Sequence, residues 1–241
     1  MNVLITDTSS RFGHALSLEF LKTGAVVYGI SPRLNDRLAN YVDYHHLNYD
    51  LSELENLKSR LENFLDGAST LDLVILNAGM IPEFNDIRNT SVEKISDVMK
   101  VSVLAHKVII DTLLEQVPAV YQVVALSPGN AVKGDDGWNA YALSRAALNT
   151  LMKLYALEIP ETHFSAIGPG FIDGDPDEIY SRLAREDDMN ISGLYGINKN
   201  GHLTNPEYAA NCLVEAMGIM LQEDSGSCKA VSEILLAPEL G

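Results

Sequence analysis

A chain of 241 residues, 46% of them apolar, is long enough for one α/β domain with a large core, and its formal charge of −16 repels nucleic acid and anionic membrane. No run of about 18 apolar residues occurs, and no basic stretch with a cleavage site opens the chain, so neither a membrane span nor a secretory leader is expected. Cys212 and Cys228 lack metal-ligand spacing and the six histidines are scattered, so free thiols and no metal site are expected.

In chain order, Asn-Val-Leu-Ile-Thr at Asn2–Thr6 is a short apolar run of the buried, parallel-strand type. Asp7 to Gly13 forms a small polar turn. Ala15, Leu16, Leu18, Phe20 and Leu21 then give a helix that stops near Gly24. A strand, a tight turn and a helix N-terminus make an anion site, usually filled in such folds by dinucleotide phosphates, although only Gly13 of the three expected glycines is present. A second strand is expected over residues 25–30. Ser31 stands where an acid would bind the adenosine ribose hydroxyls. Arg33 lies close by and Arg11 adds a second cation, which favours NADP over NAD.

Residues 44–48 read as a third strand, ending in Tyr49, Asp50 and Leu51. A helix follows over 52–65, with Leu54, Leu57, Leu61 and Phe64 on one face and Ser52 as its cap. A fourth strand over 71–76 runs into Asn77-Ala78-Gly79. Long helical periodicity covers 90–115, residues 121–126 read as a fifth strand, and a second long helix spans 138–157. A sixth strand over 163–167 ends in Gly168-Pro169-Gly170. A helix over 206–221 and a last strand over 230–236 close the pattern. Alternating strands and helices without a composition break predict one domain over 1–241, a Rossmann-type doubly wound parallel sheet between two helical layers. Residues 173–204 are acidic and weakly periodic, and sit where a substrate lid would be expected.

Four pieces fall in one order: the Thr6 to Gly13 turn, Asn77-Ala78-Gly79, Tyr141-Ala-Leu-Ser-Arg145 and Pro169-Gly170. Their spacing resembles the short-chain dehydrogenase/reductase family over nearly the whole chain. The resemblance implies a nicotinamide cofactor and hydride transfer to or from a small carbonyl or alcohol. It implies cofactor contacts from Thr6, Ser9, Arg11, Phe12, Gly13, Arg33, Asp50, Leu51, Asn77, Ala78, Gly79, Tyr141, Arg145, Pro169, Gly170 and Ile172. It also implies pairing through the two long helices into a homodimer or homotetramer, and a cytoplasmic location.

The departures from the family pattern are specific. Asp7 and Arg11 replace the first two glycines of the turn, Arg145 replaces a lysine, Pro128 stands where the serine is usual with Ser127 beside it, and Ser102 replaces an asparagine. The resemblance makes Tyr141 the general acid or base. A phenol releases its proton near neutrality only beside a cation, and Arg145, one helical turn on, is that cation. Arginine keeps its own proton, so it cannot relay one as lysine can. Ser127 is expected to polarise the substrate oxygen and Ser102 to hold a water. Trp138 stands one turn before Tyr141, as a pocket wall or as core. A second reading, resting on the same departures, is a weak or inactive member that serves as a dinucleotide-binding regulator or an assembly subunit.

Overall fold

The computed structural model describes residues 1–82, 85–127, 139–170, 172 and 204–236. Its first strand, β1 (Asn2–Thr6), buries Val3, Leu4 and Ile5 completely, as a strand covered on both faces must. Helix α1 (Arg11–Lys22) starts at Ser10, whose hydroxyl accepts from the Gly13 N–H at 3.1 Å, and stops before Gly24, which has φ +81°. Strands β2 (Val26–Ser31) and β3 (Tyr44–Asn48) follow, then α2 (Leu57–Phe64). A helix from Ser52 is not found. The Ser52 N–H bonds Asp50 Oδ1 at 2.9 Å, a side-chain turn that competes with the helix, so Asn56 becomes the cap.

The run expected as one strand over 71–76 splits into β4 (Thr70–Leu71) and β5 (Leu73–Leu76). The long helix expected over 90–115 splits too. It consists of α3 (Val92–Met99), a wide π turn at Lys100–Leu104, and α4 (Ala105–Gln116). Next come β6 (Ala119–Val120), β7 (Gln122–Leu126), α5 (Asn139–Glu158), β8 (His163–Gly168) and α6 (Pro206–Met220). The expected last strand over 230–236 is corrected to β9 (Cys228–Ala230) followed by helix α7 (Val231–Leu235). Glu233 Oε2 accepts the Ala230 N–H at 2.7 Å, and this local cap turns the chain into a helix.

Seven strands pair in the order β3-β2-β1-β5-β7-β8-β9, all parallel, while β4 and β6 form a small ladder of their own. One face of the sheet packs Leu61, Leu76, Ile109, Leu148 and Phe164 with α2, α4 and α5. The other packs Phe12, Leu16, Leu213 and Met217 with α1 and α6. The chain runs outward from β1 to β3 and resumes at β5. The switch point therefore lies between β1 and β5, where a crevice opens beyond the strand ends and where ligands bind in such sheets. Among the described residues no helix is long and apolar enough to cross a membrane, no His, Cys, Asp or Glu group could hold a metal, and Cys212 and Cys228 are free thiols.

Candidate active site

The crevice is held together by the side chains of Thr6 and Asn77. Thr6 Oγ1 accepts the Ala78 N–H at 2.9 Å, and Asn77 Nδ2 donates to the carbonyls of Thr6 and Asp7 at 3.1 and 3.3 Å. These bonds tie the end of β1 to the end of β5. Gly13 packs so closely that a Cβ there would lie 2.1 Å from the Asp7 carbonyl oxygen. Asp7, where the family has glycine, has φ 57°, a left-handed conformation that costs an L-residue roughly 1–2 kcal/mol and that aspartate tolerates better than most. Ser9 Oγ lies 3.4 Å from Asp7 Oδ1. The first turn of α1 carries no acid and Arg11 is exposed there, which suits an anion. Phe12 is a core side chain at 2% exposure, so only its backbone can meet a cofactor.

On the catalytic side, Tyr141 and Arg145 face each other across one turn of α5, with the guanidinium carbon 4.8 Å from the ring centroid. Arg145 is 3% exposed and its Nη1 donates to the Leu126 carbonyl at 3.0 Å. A Cβ on Gly79 would come within 2.2 Å of its Nη2, so the missing side chain of Gly79 is the space the guanidinium fills. Ser127 is fully buried and its hydroxyl lies 3.5 Å from the Arg145 carbonyl oxygen. Ser102 is fully buried in the π turn, and its hydroxyl accepts the Met80 N–H at 3.1 Å. Bulges of this kind recur at functional sites.

One turn on from Ser102, fully buried His106 is neutral. Burial first, and the Arg145 charge second, push its imidazole down to about 3, against the opposing effect of the Ser102 backbone. Sequence reasoning missed His106, because a lone histidine in a helix carries no signal of what lies across from it.

Around the expected ribose region, Arg33 and Asp50 are exposed and Leu51 is buried. Arg37, which sequence reasoning did not single out, lines a cleft of about 470 Å³ with His14, Leu34, Asn35 and Asp36. Burial, and then Arg37, hold His14 below the usual histidine range, while Glu207 acts the other way. At the end of β8 lie Pro169 and Gly170, the latter at φ 85°, and Ile172 is buried and bridges to Thr204. Pro128, Trp138 and all of the expected lid over 173–204 except Thr204 lie outside the described residues. The residues present fit a dinucleotide: a glycine-cleared crevice, an acid-free helix start, and exposed cations at Arg11 and Arg33.

Comparison with known proteins identifies the family and the fold. Residues 1–181 match the family model described as short chain dehydrogenase. A benzil reductase ((S)-benzoin forming) of Bacillus cereus is 25% identical over 228 residues, which is 88% of this chain and 91% of the relative. The fold is that of a short chain dehydrogenase/reductase from Saccharomyces cerevisiae, with TM-score 0.79, 19% identity and 98% of both chains covered. ElxO with NADP bound is similar at TM-score 0.78 and 18% identity, again over 98% of both chains. With this sheet order, this crevice and this match over most of its length, the chain belongs to the short-chain dehydrogenase/reductase family and is a nicotinamide-dependent oxidoreductase.

Proposed function

We propose that the enzyme is an NADP-dependent reductase of small carbonyl compounds, with Tyr141 as its proton donor and Arg145 as the cation that serves it. The observation that carries this is the buried guanidinium lying over the Tyr141 ring in the space left by Gly79. When bound, the nicotinamide supplies or receives the hydride. Tyr141 protonates the carbonyl oxygen as the carbon accepts that hydride, and removes the proton in the reverse direction. A cation fixed over the ring is placed to favour negative charge growing on the phenol. Ser127 Oγ is the proposed donor to the substrate oxygen, once its hydroxyl turns away from the Arg145 carbonyl. Ser102, at the π turn, holds Met80 and with it the Gly79 floor, and can hold a water.

Arg11, exposed at the start of α1, and Arg33, exposed just after β2, support the preference for NADP. Apolar Leu143, Leu154 and Leu157, exposed on α5, support assembly into a homodimer or homotetramer, and the cytoplasm is the proposed location. The regulator reading is not favoured, because the chain matches the family over most of its length and the curated relative is a reductase.

Benzil, the substrate named for that relative, is the first carbonyl to try. Tyr141→Phe is expected to lower kcat by about 10²–10⁴-fold, the range of a positioned general acid, with NADPH affinity nearly unchanged. Turnover equal to the parent's would reject the assignment. In a titration of the parent, equal affinity for NADPH and NADH would reject the cofactor preference.

A further inference from the structure

Behind the ribose region runs a chain of buried hydroxyls that the proposed mechanism does not use. Ser31 Oγ donates to the Arg33 carbonyl at 2.9 Å. It also lies 3.2 Å from Thr8 Oγ1 and 3.0 Å from His46 Nε2. Thr8 Oγ1 in turn lies 2.8 Å from the Tyr44 hydroxyl. A hydroxyl has one proton and two acceptor sites. Because the Ser31 proton goes to Arg33, Ser31 accepts from both Thr8 and His46. Thr8 has then given its own proton and must accept from Tyr44. The imidazole of His46 is thereby fixed with its proton on Nε2. Thr8 and Ser31 are each 1% exposed and Tyr44 is 8% exposed. The Tyr44 and His46 rings stack at 6.2 Å, as alternate residues of β3 on one face of the strand can. Gly29 makes the arrangement possible, since a Cβ there would lie 2.3 Å from the Tyr44 hydroxyl.

We infer that Tyr44, Thr8, Ser31 and His46 form a clamp that presents the Arg33 segment to the 2′-phosphate of NADP, making these four the positioning residues of cofactor choice. The clamp rests on the NADP reading above and deepens it. An arginine on an exposed loop must be ordered when it binds a phosphate, and that entropy subtracts from affinity. Fixing the Arg33 carbonyl from behind orders the segment in advance. The saturated Ser31 hydroxyl has no bond left to offer a ribose hydroxyl, so the clamp adds nothing for NADH.

The test measures Kd for NADPH and for NADH by titration of the parent, Ser31→Ala, Thr8→Val and Tyr44→Phe, with thermal unfolding as the check on folding. Ser31→Ala, which removes the hub, is expected to weaken NADPH on the order of tenfold and leave NADH unchanged, with Thr8→Val following it. Tyr44→Phe keeps the ring over Gly29 and removes only the outermost donor, so its loss of NADPH affinity should be smaller.

A parent that prefers NADPH while Ser31→Ala keeps the full ratio overturns the clamp and leaves the cofactor reading standing. Equal losses for both cofactors reduce the four to a structural role and overturn it as well. A parent without preference refutes the cofactor reading itself and takes the clamp's purpose with it. Nitrogen NMR of the cofactor-free protein tests the geometry separately. His46 should carry its proton on Nε2 in the parent and lose that fixed tautomer in Ser31→Ala; a parent His46 protonated on Nδ1 overturns the clamp.

Discussion

A single methyl group at position 79 tests the catalytic geometry. Gly79 is not among the glycines with positive φ, so alanine is acceptable to its backbone and any effect is steric. The added Cβ would stand 2.2 Å from Arg145 Nη2, 3.2 Å from Cζ and 3.4 Å from Nη1. Contact between such atoms needs about 3.5 Å, so the guanidinium must retreat by roughly 1 Å or more. It is 3% exposed and held by the Leu126 carbonyl at 3.0 Å, so it cannot retreat without giving up that bond. Losing a hydrogen bond from a charged donor costs about 1.5–3 kcal/mol, and losing the ring contact with Tyr141 about 0.5–2 kcal/mol. Gly79→Ala should therefore lose about 2–5 kcal/mol in urea unfolding, together with most of its kcat/KM.

Lysine has no Nη2, so in an Arg145→Lys background the same methyl group should cost less than about 1 kcal/mol. The four proteins form a double-mutant cycle with an expected coupling of at least about 1.5 kcal/mol. Stability effects that add within about 0.5 kcal/mol, or a Gly79→Ala enzyme with the parent's kcat/KM, would refute the claim that Gly79 exists to seat the guanidinium.

Asp7→Gly removes the left-handed strain at φ 57° and, if the pyrophosphate binds at the start of α1 as proposed, a carboxylate beside it. Strain relief of about 1 kcal/mol is offset by glycine's chain entropy of about 0.5–1 kcal/mol, so stability should hold within about 1 kcal/mol while NADPH binds at least about threefold tighter; unchanged or weaker binding would reject the repulsion argument. Light scattering at micromolar concentration should give a dimer or tetramer mass, and a monomer mass would count against assembly through the exposed leucines of α5. His106 titrates near 3 in the folded protein but near 6.5 when unfolded, so below about pH 6.5 the unfolded state takes up a proton that the folded state refuses. Stability should therefore fall as pH drops from about 6.5 toward 3, by up to about 5 kcal/mol at 1.4 kcal/mol per unit, and His106→Leu should lack that part of the decline. Parallel stability curves for the two proteins would contradict it.

What the sequence could and could not reveal follows from the range of each signal. Strands β1, β5, β7 and β8 were legible because a strand covered on both faces is a short apolar run, and the residues at their ends mark the crevice. The break in the long helix was not legible, because a π turn changes the hydrogen-bond register without changing the residue types that favour helix. The tertiary bond from the Met80 N–H to the Ser102 hydroxyl falls within this turn. The closing strand was misread because Val231, Ile234 and Leu235 suit either element, and Glu233 decides between them. Tyr141 and Arg145 were readable as a pair through their one-turn spacing. Gly79 was readable as part of a motif, but its use as space for a guanidinium was not. Thr8, Ser31, Tyr44 and His46 come from three separate stretches and share no spacing. The one local hint was Gly29, a glycine inside a β-branched strand, which implies that something approaches the backbone there.

Arginine at position 145 changes what the site can do more than it changes the fold. A lysine reaches its targets with one mobile ammonium. A guanidinium is flat, wider and permanently charged, so it must be seated on surfaces. Here the seat has three parts: the Tyr141 ring on one side, the bare backbone of Gly79, and the Leu126 carbonyl. Each comes from a different part of the chain. The same seat fixes the charge over the Tyr141 ring. A guanidinium held there supplies charge but no transferable proton. If Tyr141 gives up its proton as proposed, that proton must come back from solvent, rather than through the residue at position 145. A solvent isotope effect on kcat that is larger in the parent than in Arg145→Lys would be the signature of that rerouted proton, and equal effects would mean that the proton returns by the same path in both.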